Sequence, residues 1–507
     1  MATDDDYKPS PREPLHTDPQ LCKGIISAVV SAFPLEIRTS DVANGSGVFA
    51  AANIEAGCEI YHSKDTILAA IDFGNPTFCH SCLQDTSNLF GNPTKTESPA
   101  KACTGCKVAR FCSKVATPQA SMRYPTDWPL QECQKTAWGD FHKDECKILK
   151  KAPMIKAHNL LAHRVVFRAL RGLISKAEAR AMRYHLETHF CEYSQDAERC
   201  SEILNIAGAI QAAADNKMDM GLIWKLVSAM RINCVRIRPA SKKESVGYVF
   251  HWLTAAVNHS CDPNAFVFFD GRQLKVRSLR EIVAGDEITI CYLDPTLDVA
   301  ARKKILRRGR CKSDLGVQET FAKIASSTIE TIARAQHEIV ALIRSAVHAS
   351  KHPGIYPPRL ALALLYLDQF KPVPALRLAL RGRLLRKFLA GPDWINEMLD
   401  VVVTVLLVAG SMPPDAKAFE DKAFPTSEEL RTVMYGYLYV VCREVGRVFG
   451  VESGYAKAVG EMFARMVEKK DGERPGGKRF KGEFEAAQKR VLRWAGVDED
   501  MAVRIGY

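Results

Sequence analysis

The stretch AAVNHSCDPNAFVFFDGRQLKVRSLREIVAGDEITICYLD (255–294) decides the fold. Its second part alternates apolar runs with turns, in the order AFVFF (265–269), Asp270-Gly271, LKVRSL (274–279), Gly285-Asp286 and EITICYL (287–293). Runs of β-branched and aromatic residues between such turns predict the strands of a small sheet. The segment VNHSCDPN (257–264) precedes them and crowds polar residues and a proline after an apolar stretch. Taken alone, Asn258 and His259 are equally well explained as turn caps.

Composition narrows the class of protein. At 507 residues the chain is too long for one hydrophobic core and predicts about two to four domains. The beginning, MATDDDYKPSPREPLH (1–16), has no apolar core, so we expect no signal peptide. The most apolar run, MLDVVVTVLLVAGSM (398–412), is too short for a membrane span and contains Asp400, so it predicts a buried helix. We therefore expect a monomer without a membrane segment, located in the nucleus and/or the cytoplasm.

The formal net charge of +12 raises the question of nucleic-acid binding. The basic residues are spread along the chain, and the densest group, KKDGERPGGKRFKG (469–482), is typical of a solvated loop between helices. Charge therefore does not favour a nucleic-acid partner.

Cysteines are concentrated in one segment. Seven of the sixteen lie between residues 79 and 146, and a chain without a secretion signal is expected in a reducing compartment, where clustered cysteines bind metal. The segment contains CHSC (79–82), CTGC (103–106), Cys112, Cys133 and HKDEC (142–146). Two C-x2-C knuckles and an H-x3-C pair supply eight nitrogen or sulfur ligands, which is enough for two tetrahedral zinc sites.

This order of ligands, ending in CQKTAWGDFHKDEC (133–146), resembles the MYND zinc finger. The resemblance implies that Cys79, Cys82, Cys112 and Cys133 hold one zinc ion, and that Cys103, Cys106, His142 and Cys146 hold the other. Fingers of this family are structural or bind short proline-rich peptides.

The finger departs from the family pattern at one place. Twenty residues separate Cys112 from Cys133, whereas the family has three. Removing residues 115–131 restores the spacing as FCSKECQK, and codons for Val115 and Gln131 can supply the GT and AG ends of an intron. We hypothesise a retained intron. A genuine loop remains the alternative, because the cost of closing a loop grows slowly with its length.

The segments flanking the finger resemble a SET domain of the subfamily that carries a MYND insertion. The similarity rests on NGSGVFA (44–50), the finger, NHSCDPN (258–264) and AGDEITICYLD (284–294), which occur in family order within residues 34–310. The resemblance implies a pseudoknot, in which the NHSC segment and the strand ending in tyrosine pass through one another. It also implies adjoining pockets for S-adenosylmethionine and a lysine side chain.

The resemblance assigns roles to individual residues. Tyr292 corresponds to the active-site tyrosine, which orients the amine near the methyl group. The cofactor-binding positions, with weaker local similarity at Glu187, His189 and Asn233, are Asn44, Ser46, Gly47, Glu187, His189, Asn233, Ala256, Asn258, His259 and Tyr292. Asn44 to Gly47 are expected in a turn, and 246–257 is either the floor of the lysine channel or plain core.

The last third of the chain changes character. From about residue 316, apolar residues recur at helical spacing between Pro and Gly, which predicts an all-α domain similar to tetratricopeptide arrays. One helix is expected to begin near Ser427, with an imperfect capping box formed with Glu429. Between the SET-like part and this domain, Cys311 stands alone where the family has a three-cysteine zinc cluster that closes the lysine channel.

The sequence therefore predicts an α+β chain with a split β-rich SET domain, an inserted zinc-binding finger and an all-α C-terminal domain. The expected order is an extension (1–33), the first SET part (34–78), the finger (79–146), the remaining SET part (147–310) and the helical domain (316–507). The predicted function is protein-lysine N-methyltransferase, with S-adenosylmethionine as methyl donor, two structural zinc ions and a protein substrate, histone or non-histone. Because Cys311 is alone, a catalytically weak or inactive adaptor that binds proteins remains the alternative.

Overall fold

A computed structural model describes most of the chain in two compact units. The described residues are 19–40, 45–63, 68–72, 77–85, 100–112, 133–175, 178, 181–182, 186, 188, 190–239, 245–260, 262–292, 374–377, 379–380, 391–411, 423–468 and 474–497. The first unit comprises Met1–His259 and Asn264–Ile290, and the second comprises Ser260–Pro263 and Cys291–Tyr507. The expected ligand positions Asn44, Glu187 and His189, the 115–131 segment and Cys311 lie outside the described residues.

The first unit is built from short strands. They are β1 (Leu35–Ser40), β2 (Gly45–Ala50), β3 (Glu59–His62), β4 (Leu68–Ile71), β5 (Lys101–Ala102), β6 (Arg110–Phe111), β7 (Val235–Ile237), β8 (Gly247–Phe250), β9 (Asn258–His259), β10 (Ala265–Asp270), β11 (Gln273–Ser278) and β12 (Thr289–Ile290). The described part forms the sheets β1-β2, β10-β11-β3, β12-β9, β4-β8-β7 and β5-β6. Each pairing is antiparallel except that of β9 with β12, which is parallel.

Helices cover these sheets. They are α1 (Pro19–Val30), α2 (Cys133–Ala137), a π-helical turn (Trp138–His142), α3 (Lys143–Lys151), α4 (Ala157–Leu170), α5 (Phe190–Gln195), α6 (Ala197–Ala213), α7 (Met220–Asn233) and α8 (Trp252–Ala256). α6 begins at the cap Asp196, whose carboxylate accepts a hydrogen bond from the Arg199 amide, and Asp219 caps α7 in the same way. α4 packs against α7, β4 and β8 and buries most of its length, so it forms the centre of this core.

The predicted hairpin is present at the expected place. β10 and β11 pair from Ala265 with Ser278 to Asp270 with Gln273, and Gly271 makes the turn with a φ of 60°. The predicted third strand is shorter than expected. Only Thr289–Ile290 form β12, because the residues before them pair with β2 instead. Glu287 forms a β-bridge with Phe49, and the amide of Ile288 donates to the Val48 carbonyl at 2.7 Å. The stretch therefore bridges two strands rather than extending one sheet.

One expected turn is instead a strand. Ser46 and Gly47 were predicted in a turn, but they lie in β2 and pair with Thr39 and Arg38 of β1. The small residue at 47 is required by packing, since a Cβ there would stand 2.2 Å from the Oε1 atom of Glu287. Close approach, rather than a bend, explains this glycine.

The second unit is helical where it is described. Its longer helices are α9 (Pro392–Ser411), α10 (Ser427–Phe449), α11 (Gly454–Glu468) and α12 (Lys478–Ala495). α10 packs against the other three, and Gly436 lets α12 approach closely, because a Cβ there would lie 2.0 Å from the ring of Phe484. This agrees with the predicted all-α domain.

Two details of this unit differ from expectation. The N-cap of α10 is Thr426 rather than Ser427, because only Thr426 has the spacing that allows a complete capping box with Glu429. The apolar run in α9 buries one face but leaves Val403 and Leu407 about half exposed. Among the described residues, no helix is both long enough and apolar enough to cross a membrane.

Candidate functional site

Two groups of potential zinc ligands converge in the finger. Cluster 1 consists of Cys79, Cys82, Cys112 and Cys133, and cluster 2 consists of Cys103, Cys106, His142 and Cys146. Within each cluster the ligand atoms all lie within 4.8 Å of one another. The grouping is the interleaved one that the MYND resemblance implies.

The separations within the clusters fit a metal ion. The Sγ atoms of Cys82 and Cys112 are 3.5 Å apart, those of Cys103 and Cys146 are 4.0 Å apart, and Cys106 Sγ is 3.8 Å from His142 Nε2. Tetrahedral zinc with Zn–S bonds of about 2.3 Å would hold two sulfur atoms about 3.8 Å apart. The two clusters can therefore each hold a zinc ion.

Local backbone geometry prepares both knuckles. The amide of Leu83 donates to the Cys79 carbonyl, and the amide of Lys107 donates to the Cys103 carbonyl, both at 2.9 Å. Leu83 and Lys107 have φ values of 60° and 62°, a conformation that is costly for residues other than glycine. The same strained turn follows each C-x2-C pair, as expected where metal binding stabilises the loop.

A buried ion pair supports cluster 2. The Nδ1 atom of His142 lies 3.4 Å from a carboxylate oxygen of Glu145, and both side chains are fully buried. Burial opposes ionisation of Glu145, but the charges and hydrogen bonds of Arg164 and His142 together outweigh it and lower the pKa of this carboxyl to about 2. Glu145 is thus ionised, and it can fix the orientation of the histidine ring for metal binding.

The NHSC segment lies beside the strand that leads to Tyr292. In the parallel pair β9-β12, Asn258 is opposite Thr289 and His259 is opposite Ile290. Asn264 holds this arrangement, since its amide nitrogen donates to the Glu287 carbonyl and its amide oxygen accepts from the Thr289 amide, both at 2.8 Å. Two segments separated by a hairpin are thereby brought edge to edge.

Asn258 and Glu287 form the centre of this region. The Nδ2 atom of Asn258 donates to Oε1 of Glu287 at 2.6 Å and to the Ser46 carbonyl at 3.3 Å. The hydroxyl of Ser40, which is 1% exposed, lies 2.9 and 2.8 Å from the two carboxylate oxygens of Glu287. The site therefore joins β1, β2 and β9 through one carboxylate.

The other expected site residues lie in several separate elements. Ser46 and Gly47 are in β2, and Ala256 ends α8, which packs against β2. Asn233 is the last residue of α7, and its amide donates to the Ala229 carbonyl of the same helix at 2.9 Å. Tyr292 follows β12 by two residues, belongs to the second unit and is 39% exposed.

Sequence reasoning missed several residues of the site. Glu287, Ser40 and Asn264 received no role, although the segment containing Glu287 was quoted. The available signal was an acidic residue at the start of a predicted strand, directly before an apolar residue, because carboxylates are seldom buried without partners. Nothing near Ser40 in the sequence distinguishes it from an ordinary strand serine.

Comparison with known proteins agrees with this architecture. Residues 45–293 match the family model of the SET domain. The chain is 27% identical over 293 residues to histone-lysine N-methyltransferase SMYD3 of Homo sapiens, which covers 55% of this chain and 60% of the relative. It is 27% identical over 288 residues to SET domain and MYND-type zinc finger protein 6 of Schizosaccharomyces pombe, covering 54% and 52%. Similarity to histone-lysine N-methyltransferase Smyd1 of Mus musculus is 24% over 281 residues, covering 51% and 50%.

These alignments span between half and three fifths of the length of each relative. One of the relatives is named for the same combination of SET domain and MYND-type finger. Together with the two ligand clusters and the β9-β12 pairing, these matches show that residues 45–293 resemble a SET domain and that the chain is similar to SET-and-MYND proteins.

Proposed function

We propose that this chain is a protein-lysine N-methyltransferase, with S-adenosylmethionine as methyl donor and a lysine of a histone or non-histone protein as acceptor. The observation that carries the proposal is the parallel β9-β12 pair. In it Asn258 lies opposite Thr289, three residues before Tyr292, and the Asn258 side chain donates to the Ser46 carbonyl. The names of the relatives support the reaction class.

The hydrogen-bonding groups of the Asn258 side chain fit the amino-acid part of S-adenosylmethionine. Both hydrogen bonds of its side-chain amide are donated by the nitrogen atom, so within the described residues the amide oxygen remains available as an acceptor. An ammonium group offers the donors that this oxygen requires. Ser46, Gly47, Ala256 and His259 are proposed to contact the same ligand, as are Asn44, Glu187, His189 and Asn233.

The acceptor lysine imposes a separate requirement. Its ammonium has a pKa of about 10.4, so neutralising it at pH 7.4 costs about 4 kcal/mol. An apolar channel and a nearby sulfonium both disfavour the charged amine. When bound, S-adenosylmethionine supplies a methyl group on a positively charged sulfur. A neutral amine would take up that methyl group as the sulfur becomes a neutral thioether, and the amine would release its extra proton to solvent.

Tyr292 is proposed to orient the amine through its hydroxyl oxygen. This role is one of positioning and electrostatics and requires no base from the tyrosine. The zinc clusters take no part in the chemistry. They are proposed to maintain the finger, which can present its surface to proline-rich peptides in the nucleus or cytoplasm.

A second candidate function is that of a protein-binding adaptor without activity. The observation that favours it is Cys311, which stands alone where the resemblance implies a three-cysteine cluster around the lysine channel. An adaptor would retain its zinc ions and its fold without binding the methyl donor.

Isothermal titration with S-adenosylmethionine separates the two functions. For the enzyme, we expect the wild-type chain to saturate and Asn258→Ala to bind at least about tenfold more weakly. Tyr292→Phe should bind the donor normally but transfer radiolabelled methyl to lysate proteins at least about a hundredfold more slowly. Absence of saturation in the zinc-loaded wild-type chain would overturn the proposal in favour of the adaptor.

A further inference from the structure

We propose that Glu287 is a positioning residue for the methyl donor, acting through Asn258. Its carboxylate fixes the side-chain amide of Asn258 in the one orientation that directs the amide oxygen toward the donor's ammonium group. This inference rests on the proposed function and adds a residue to its machinery.

Hydrogen-bond complementarity sets the orientation of the amide. The two neighbours of the Asn258 amide nitrogen are the Glu287 carboxylate at 2.6 Å and the Ser46 carbonyl at 3.3 Å, and both can only accept. Rotating the amide by 180° would turn its oxygen toward two acceptors and would lose both bonds. The bond to the carboxylate is the shorter of the two, at 2.6 Å, and therefore dominates this preference.

The carboxylate is itself held on three sides. The buried hydroxyl of Ser40 lies within 2.9 Å of both carboxylate oxygens. Gly47 leaves the space that the carboxylate fills, since an added Cβ would lie 2.2 Å from Oε1. The backbone of Glu287 bridges to Phe49 and accepts from the amide of Asn264. The side chain therefore has little freedom to release Asn258.

No basic side chain in the described part of the chain forms an ion pair with Glu287. Its partners are a hydroxyl and an amide, both uncharged, so the negative charge of the carboxylate is not neutralised locally. A hydrogen bond from a neutral donor to a half-buried carboxylate is stronger than one to a neutral acceptor, so this setting favours a firmly held Asn258 amide.

The alternative is that Glu287 merely stabilises the fold. The two roles differ in ligand dependence. A positioning residue affects ligands that have the amino-acid part, whereas a structural residue affects every ligand and the unfolding temperature. The two roles also differ in their energetic coupling to Asn258, because a residue that acts through Asn258 has no further effect once Asn258 is removed.

Titration of Glu287→Gln and Glu287→Ala tests the inference. We expect S-adenosylmethionine to bind about threefold to tenfold more weakly to the Gln variant, which keeps an acceptor but loses the charge, and about tenfold to a hundredfold more weakly to the Ala variant. Binding of 5′-methylthioadenosine, which lacks the amino-acid part, should change less than about twofold. The exposed Glu281→Gln is the matched control, and its affinities should equal those of the wild-type chain.

The double variant Asn258→Ala/Glu287→Ala supplies an independent criterion. We expect it to bind the donor as weakly as Asn258→Ala alone, whereas additive losses would overturn the inference. Unchanged donor affinity in Glu287→Ala would overturn it as well. A wild-type chain that does not bind S-adenosylmethionine would refute the proposed function itself, so the two failures are distinguishable.

Discussion

Arg164 donates two hydrogen bonds of 2.9 Å to the carboxylate of Glu145, one from Nε and one from Nη2, and both side chains are buried. The guanidinium also donates to the carbonyl of Ala69 in β4 and stacks 3.6 Å from the ring centre of Phe141. Because Glu145 contacts His142, this pair connects cluster 2 with the central sheet of the first unit. Hydrogen bonds therefore link a predicted zinc ligand directly to the core of the first unit.

Glu145→Gln should weaken zinc binding at cluster 2. The variant removes the carboxylate that orients His142, and losses of about tenfold to a hundredfold are typical for such a partner. It also leaves Arg164 buried without a counter-charge, which typically costs about 3–5 kcal/mol of stability. Competition with a zinc-binding dye measures the first effect, and denaturant unfolding measures the second. The exposed Glu198→Gln serves as control, and equal zinc affinity in the two variants would contradict the assignment.

Metal content should follow the two clusters. We expect about two zinc ions per wild-type chain and about one in Cys106→Ser, because cluster 2 then lacks a thiolate. Cys58, which is exposed and outside both clusters, gives the control Cys58→Ser with two ions. Atomic absorption after dialysis gives the count. Two ions in Cys106→Ser would exclude this residue as a ligand.

Gly47→Ala should disrupt the proposed methyl-donor site at its tightest contact. The new Cβ would overlap the carboxylate of Glu287, so that side chain must move and release Asn258. We expect about 1–3 kcal/mol of destabilisation from overpacking and at least a tenfold loss of donor affinity. Thermal unfolding and calorimetry provide the readouts. Gly24→Ala, where the added methyl group meets nothing within 4 Å, should do neither.

Stability should decline as the pH falls below about 6.5. Burial lowers the pKa of His163 to about 4, with Glu145 partly opposing and Arg164 reinforcing the shift. In the unfolded state the histidine has its ordinary pKa of about 6.5. Between pH 6.5 and pH 4 the unfolded state therefore binds more protons than the folded state, so unfolding becomes easier on acidification. His158 and His251 are shifted to about 4 in the same direction, mainly by burial.

His163→Phe isolates one part of this pH dependence. Both ring nitrogens of His163 are buried and have no hydrogen-bond partner in the described part of the chain, and the ring stacks on Phe167, so an aromatic replacement preserves the packing. A single such histidine contributes up to about 3 kcal/mol between pH 6.5 and 4. Urea unfolding at pH 7.5 and 5.0 should therefore show a smaller difference for the variant. An unchanged difference would mean that His163 does not titrate on unfolding.

Much of this protein is determined locally. The C-x2-C spacings bring paired thiolates together wherever the knuckle folds, because Leu83 and Lys107 close the same short turn. The hairpin at Asp270-Gly271 likewise follows from alternation of apolar residues around a glycine that can adopt a positive φ. Helical periodicity was sufficient to predict the all-α character of the second unit. These features depend on neighbours within a few residues, so the sequence alone predicted them.

The tertiary structure decided the remainder. Ser40 meets Glu287 across 247 positions, and Arg164 meets Ala69 across 95, separations at which no local pattern constrains contact. Gly47 was predicted to allow a turn. The structure shows instead that a glycine is needed there because the carboxylate of Glu287, near the other end of the SET match, occupies the space of a side chain. Long-range packing chooses among many sequences with the same local preferences. The hydrogen-bond partners of Asn258 and His142 could therefore be identified only from the tertiary structure.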